Sequence, residues 1–477
     1  MLSSGSTVAH VLTLLLSPLL LRLYPPEAYG VATLFVSIVL VLNPLVCLGY
    51  DHAIVMPSER KAVADVFASG IAAAGMTSLV FSLVFWMFRR SIAAVLGTAA
   101  IASYGGFLPL ALGGWGLFSC LNNWTLQEKR FGSMARAQIW KSVASNGSKI
   151  AVAMAGTATA AGWIWGYVLG LFAAVLTLAA GAWRELVGMI RRISLRGMGR
   201  MAVRYRNFPL YTTGSLTINS LSAYLPAILL ATFFSPTVAG FYMLGQRLVK
   251  LPLEFLGMSI AQVLYQRAAA IHRSGEAMSG MVVSVLKVLL VLGLFPFLGL
   301  MVLGADLFVV AFGFRWIEAG RFVQILSPWI LMAFVTMPLA TLFNVLERQR
   351  KQLSFNVLLL AVRVAALLIG GACADARLAV ILFSAGSTLI IVILLGWILK
   401  TSGVPVPRTA VLMLGYLLLA MPFLVALVAL KALIPGRLAL LGAGLLVLLL
   451  YGLVAFGTQA ELRRAVLALL RHHEDTR

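Results

Sequence analysis

The chain has 477 residues, 61% of them hydrophobic, with a mean hydropathy of +0.99 and 37 Lys and Arg against 15 Asp and Glu. Repeated apolar runs of 18 or more residues exclude a soluble globular protein. The formal charge of +22 therefore has to be read against loop topology before nucleic acid is considered. Cys47, Cys120 and Cys373 form neither a CxxC nor a Cys/His spacing, so no disulfide framework, zinc site or other metal site is expected, and the three read as packing residues.

Taken in order, charge, Pro and Gly divide the chain into about fourteen transmembrane helices. The first six fall near 5–23, 28–48, 63–87, 99–121, 138–157 and 160–182. No basic segment precedes the first, which reads as a retained span and not a signal peptide. A second six follow near 208–231, 236–263, 281–303, 320–345, 353–371 and 375–399, and two more near 408–430 and 437–456. The expected organisation is an all-α polytopic membrane protein. Residues 1–183 would form an N-terminal six-helix bundle, 184–207 a basic cytoplasmic connection and 208–400 a C-terminal six-helix bundle. Residues 401–457 would add two extra transmembrane helices, and 458–477 an amphipathic cytoplasmic tail.

Roughly 24 of the Lys and Arg fall on the side of the N-terminus and about 8 on the other, which by the positive-inside rule makes both termini cytoplasmic. The connection contributes Arg184, Arg191, Arg192, Arg196, Arg200, Arg204 and Arg206 against Glu185 alone. It reads as a topology determinant in contact with anionic membrane lipids, and no nucleic acid partner is needed to explain the charge.

Five basic residues remain inside spans: Lys149, Arg247, Lys250, Lys287 and Arg363. Each costs about 2.5–3.5 kcal/mol at mid-bilayer, so they are expected to pair or to face a wet, cationic, substrate-binding cavity. Asp51, Asp65 and Glu254 are the acidic residues in or beside the spans, which leaves a positive surplus suited to an anionic ligand. Arg247, Lys250 and Glu254 share one helical face at i, i+3 and i+7. Lys250 and Glu254, at i and i+4, are also placed to neutralise one another, and Lys287 is near enough to a span end to snorkel. Asp51 and Glu254 are the candidate ion-coupling groups. Asp306, Glu318 and Asp375 stand isolated in short connections, which argues against a catalytic carboxylate cluster. Trp86, Trp115, Trp163, Trp165, Trp316 and Trp329 read mostly as interface anchors.

An internal repeat organises the whole. Pro26–Gly30 (PEAYG) followed by Pro44–Gly49 (PLVCLG) matches Pro236–Gly240 (PTVAG) followed by Pro252–Gly257 (PLEFLG). A weaker echo relates Leu121–Asn123 with Arg130 to Leu342–Asn344 with Lys351. Six spans per half make this a parallel repeat, an architecture in which substrate sits where the halves meet. Pro44 and Pro252 fall within helices, where each removes a backbone hydrogen bond and favours a gating kink.

On the stretches Ser17–Phe35, Arg206–Gly257 and Pro338–Leu353 the chain resembles the polysaccharide and O-antigen flippase family, within the multidrug/oligosaccharidyl-lipid/polysaccharide exporter superfamily. The resemblance implies two six-helix bundles plus two C-terminal helices in a bacterial inner membrane. It also implies a transporter, not an enzyme, that moves undecaprenyl-pyrophosphate-linked oligosaccharide outward by alternating access, for O-antigen, capsule or exopolysaccharide. No cofactor is expected beyond proton or sodium coupling, and the pathway's polymerase and glycosyltransferases would be partners. Two other readings stay open: a drug/cation antiporter of the same superfamily, and a membrane glycosyltransferase or polymerase handling the same lipid carrier.

Overall fold

The computed structural model describes residues 2–251, 256–274 and 276–458, and these are helical almost throughout. Without water to satisfy backbone N–H and C=O groups, an apolar chain in a bilayer has the helix as its economical solution. Ten described helices are long and apolar enough to cross a membrane, a number consistent with the expected fourteen spans without reaching it. The expected amphipathic tail, 458–477, lies outside the described residues apart from its first position.

The chain divides into two compact units, Met1–Gly240 and Phe241–Arg477. The first begins with α1 (Leu2–Leu23) and α2 (Pro26–Val46), the latter opened by Pro26 at its first position and Glu27 in its first turn. A short α3 (Tyr50–Ala53) leads to α4 (Arg60–Val95). At 36 residues α4 spans about 54 Å and overruns the expected 63–87 at both ends. A short α5 (Ala100–Ser103) and a 3-10 turn at Gly105–Phe107 precede α6 (Leu108–Gln127), so the expected span from 99 is broken before it becomes regular helix. Next come α7 (Phe131–Met154) and α8 (Ala160–Gly181), which pack closely on each other, with α7 also against α1.

The basic connection is itself helical. It forms α9 (Trp183–Ile190) and α10 (Leu195–Arg204). The start of α10 is fixed by Asp65 on α4, whose carboxylate accepts a hydrogen bond from the Ser194 N–H at 2.9 Å, while Ser194 Oγ accepts from the Gly197 N–H at 3.0 Å. A Cβ on Gly197 would lie 1.9 Å from the Asp65 carboxylate, so only glycine lets the two elements meet. Asp65 thus docks the linker, and its charge is spent there.

After the π-helical turn Phe208–Thr212, α11 (Thr213–Phe233) packs against α2, and α12 (Pro236–Val249) follows. Here the repeat acquires a physical meaning. Its two PxxxG copies open α2 and α12, and their glycines meet: a Cβ on Gly240 would lie 2.9 Å from Gly30 Cα, and one on Gly30 would lie 2.2 Å from Pro236 O. Pro44 falls in the last turn of α2. The chain then turns at Leu48 (φ 51) and Gly49 (φ 72), so the PLxxLG copy serves as a helix terminator. Pro252 lies outside the described residues. Of the long span expected at 236–263, the described helices are α12 and the start of α13 (Met258–Ser274), with residues 252–255 between them outside the described residues.

The second unit continues with α14 (Ser279–Phe312), α15 (Ile317–Leu339) and the short α16 (Leu342–Val345). Then come α17 (Gln349–Ala372), α18 (Ala376–Thr401), α19 (Val406–Leu433) and α20 (Arg437–Thr458). The closest packing is α14 on α15, α17 on α18 and α15 on α18. The acids that stand isolated in sequence all have structural partners. Asp306 pairs with Lys431 at 3.0 Å and Arg437 at 3.3 Å, tying α14 to the last two helices beside an apolar contact of Leu303, Leu427 and Leu440. Glu318 pairs with Arg321 and, at 2.9 Å, with Arg377. Asp375 caps α18 by accepting from the N–H groups of Arg377 and Leu378.

Candidate functional site

A cluster of aromatic and polar side chains in the second unit is built on three helices. From α15 comes Trp329, 3% exposed, and from α18 come Phe383 and Ser387, both buried. Arg363 of α17 lies partly buried over both aromatic faces, its guanidinium carbon 4.9 Å from the Trp329 ring centre and 5.1 Å from that of Phe383. Its Nε donates to Ser387 Oγ at 3.0 Å. Trp329 and Phe383 meet edge to face at 5.3 Å, which fixes the platform. Pro328 removes one rung of the α15 ladder just before Trp329. In that turn Ser384 Oγ of α18 donates to Ile325 O at 2.7 Å, so the two helices are pinned where the platform forms.

Helix α12 supplies the other wall. Tyr242 packs edge to face on Phe383 at 5.7 Å, Gln246 Nε2 donates to the Tyr242 hydroxyl at 2.5 Å, and Lys250 Nζ stands 5.7 Å from the Trp329 ring centre. The spacing 242, 246, 250 places these three on one helical face. The cluster is rich in donors. Among the described residues Arg363 has no carboxylate within ion-pair distance, and the buried Trp329 indole N–H has no hydrogen-bond acceptor. A guanidinium offers five N–H donors in a plane, so this arrangement can take a multi-oxygen anion.

The first unit holds its buried cations differently. Lys149 on α7, 8% exposed, places Nζ 4.7 Å from the Trp163 ring centre, and Trp163 is itself flanked edge-on by Tyr24 and Tyr29. The Tyr24 hydroxyl donates to Lys149 O at 2.9 Å, holding that turn of α7 to α1. Two turns earlier, Lys141 sits over Trp115 at 5.1 Å and Phe118 at 4.6 Å, both on α6. On the α1 side of α7, Thr13, Ser142 and Asn146 share hydrogen bonds of 2.8–3.2 Å.

Several expectations change on this ground. Arg247 does not join Lys250 on the Trp329 face. It lies one residue past Gln246, about 100° around the helix, and is exposed. Glu254 lies outside the described residues, so the expected pairing with Lys250 does too. Lys287 is partly buried on α14. Asp51 is buried on α3, accepts a hydrogen bond from Ser119 Oγ and lies 3.9 Å from His52 Nε2. Trp163, Trp316 and Trp329 are buried instead of anchoring at an interface, and of these Trp163 and Trp329 are turned to cations; Trp86, 66% exposed, keeps an anchor's position. Cys47 and Cys120, distant in sequence, come within 3.8 Å as buried free thiols. Sequence reasoning did not single out Lys141, although it lies in the expected span 138–157, and it missed Tyr242, Gln246 and Ser387 altogether. The period 242, 246, 250 was the one readable signal for the first two.

Residues 19–321, well over half of the chain, match the family described as polysaccharide biosynthesis protein. The chain belongs to this family. It is 30% identical over 172 residues to the lipopolysaccharide biosynthesis protein WzxC of Escherichia coli (strain K12), a stretch that covers 35% of this chain and 34% of that relative. The chain thus spans about a third of the curated relative it matches. Among solved structures, the lipid II flippase MurJ in an inward closed conformation superposes with a TM-score of 0.71 over 95% of this chain and 98% of its own, at 13% identity. An inward-facing multidrug resistance MATE family transporter of the MOP superfamily gives 0.61 over 82% and 94%, at 14% identity. These two likenesses establish the fold, and the family match bears out the resemblance read from the sequence.

Proposed function

We propose that the protein is a flippase that moves undecaprenyl-pyrophosphate-linked oligosaccharide from the cytoplasmic to the external leaflet of a bacterial inner membrane by alternating access, with both termini cytoplasmic. The observation that carries this reading is the Arg363 cluster. A guanidinium held against Trp329 and Phe383, with one N–H anchored on Ser387, keeps its remaining donors for the oxygens of a pyrophosphate. Lys250 adds charge on the same indole, and Lys149 gives the first unit a cation of its own. Arg247, exposed, and Lys287, partly buried, are secondary contributors. The polyprenyl chain would stay in lipid throughout. The name of the 30% identical relative, the family description and the flippase fold support the same substrate class.

Proton or sodium coupling through Asp51 or Glu254 belongs to this proposal, with Asp51→Asn as its probe. The test of the main reading is surface polysaccharide output in cells carrying Arg363→Ala at wild-type protein level. Output should fall, and lipid-linked units should accumulate on the cytoplasmic leaflet. Unchanged output would sink the cationic-site reading. The MATE-like fold keeps a drug/cation antiporter in play. A donor-rich cluster suits a cationic drug poorly, and a drug-susceptibility panel separates the two.

A further inference from the structure

A cavity of about 280 Å³ lies in the first unit, with neither Lys141 nor Lys149 in its lining. It is walled by Arg60 and Val63 at the start of α4, Trp124 and Glu128 at the end of α6, and Arg184, Glu185, Gly188, Met189 and Arg192 on and just after α9. That volume is at the small end for ligand sites, the size of a headgroup more than of a whole lipid. Trp124, 2% exposed and packed against Phe67, closes its floor. Burial of Leu186 and Met189 holds α9 in place as a wall.

The charge is unevenly spent. Glu185 is taken by Arg130, whose Nη2 donates to it at 2.6 Å while Nη1 donates to Gly181 O at 3.1 Å. Glu128 is exposed at the rim. Arg60, Arg184 and Arg192 have no carboxylate within ion-pair distance among the described residues. Three guanidinium groups around one headgroup-sized space, against one unengaged carboxylate, form a receptor for phosphate oxygens. The opposite edge of α9 points to the source of that phosphate. Trp183 and Ile190 are 62% and 49% exposed there, as Leu195 is (85%) at the start of α10. Apolar side chains beside arginines at the ends of membrane spans are the composition of a helix lying in a lipid interface.

We propose that this cavity binds the phosphate-bearing headgroup of an anionic membrane lipid, so that the linker helix α9 is seated on the bilayer by a lipid held at Arg60, Arg184 and Arg192. The site is independent of the transport reading, since it needs only the membrane and the linker. The test uses the full chain in detergent, titrated with phosphatidylglycerol or phosphatidylcholine and followed by native mass spectrometry and thermal unfolding. Each arginine should contribute about fivefold to affinity. A variant carrying Arg60→Gln, Arg184→Gln and Arg192→Gln should therefore bind phosphatidylglycerol on the order of 100-fold more weakly. The control carries Arg196→Gln, Arg200→Gln and Arg204→Gln on α10, an equal loss of charge outside the cavity, and should keep most of the affinity. If the triple cavity variant fails to fold, Arg60→Gln alone should still show its fivefold loss. Equal losses in cavity and control variants, or no preference for phosphatidylglycerol over phosphatidylcholine, would overturn the proposal. So would saturation of the site by inorganic phosphate or pyrophosphate at millimolar concentration without any lipid effect, which would assign it to a soluble anion.

Discussion

In Met1–Gly240 the unexposed cations set against aromatic rings are lysines, Lys149 on Trp163 and Lys141 on Trp115 and Phe118, with a separate network of hydroxyl and amide groups on the α1 side of α7. In Phe241–Arg477 an arginine joins a lysine: Arg363 stands close to two rings set edge to face and is tied by one N–H to a serine, with Lys250 near one of the same rings. An ammonium is a compact charge that accepts any orientation of its partner. A guanidinium is a planar fork whose donors have fixed directions. The comparison teaches that only the second unit's cluster holds donors with fixed directions, so under the proposed function it would read the shape of an anion while the lysines of the first unit would supply positive potential.

The largest expected effect comes from removing the platform. Trp329→Ala should lower stability by about 3–5 kcal/mol, read as a fall in melting temperature, because it strips the surface under both Arg363 and Lys250. Trp329→Phe should recover much of the loss. Next is Arg363→Ala, expected to cut oligosaccharide output about 10- to 100-fold, the equivalent of about 1.5–3 kcal/mol for hydrogen bonds to a charged group. Arg363→Lys should recover little of it. Full activity in the lysine variant would show that charge alone matters and erase the contrast between the units.

The repeat glycines test another part of the comparison. Gly30→Val or Gly240→Val forces a side chain into the backbone of the other copy. Each should destabilise this conformation by about 1–3 kcal/mol through overpacking, again measured by thermal unfolding, while valine at Gly75, where an added Cβ meets nothing, should cost less. Lys149→Ala should have a smaller effect on output than Arg363→Ala, on the scale of one cation–π contact, about 0.5–2 kcal/mol. The reverse order would make the first unit the recognition site.

The smallest effect is in the linker. The hydrogen bond from Arg130 holds the exposed Glu185 carboxyl below the usual carboxylate range. A depressed folded value means that the contribution is present above the ordinary glutamate value of about 4.3 and is lost as pH falls through the lower, folded one. The melting-temperature difference between the wild type and Glu185→Gln should therefore be small and constant near neutrality and vanish in acid.

Much of the fold was legible because its signal is local. An apolar run of the right length, bounded by Pro, Gly or charge, places a helix without reference to the rest of the chain, as at Pro26, Ala160 and Arg437. The linker was harder. Its many arginines read only as a basic connection, and the docking of α10 on Asp65 is a contact across 129 residues. The candidate site was legible in one respect: Arg363 and Lys149 could be singled out because charge within an apolar run demands compensation. The compensating groups were not. Ser387 is 24 residues from Arg363, and nothing in the sequence separates Trp329 from tryptophans such as Trp86 that lie exposed.

The sequence by itself determined that this is a helical membrane protein with an internal repeat and more buried cations than acids to neutralise them, because backbone satisfaction and the cost of charge in lipid act residue by residue. The tertiary structure decided which cations meet which aromatic rings, that Gln246 and Lys250 share a face from which Arg247 is turned, and that Asp65 belongs to the linker. Those outcomes depend on helix rotation and on partners far away in the chain, which the local period of a helix does not encode.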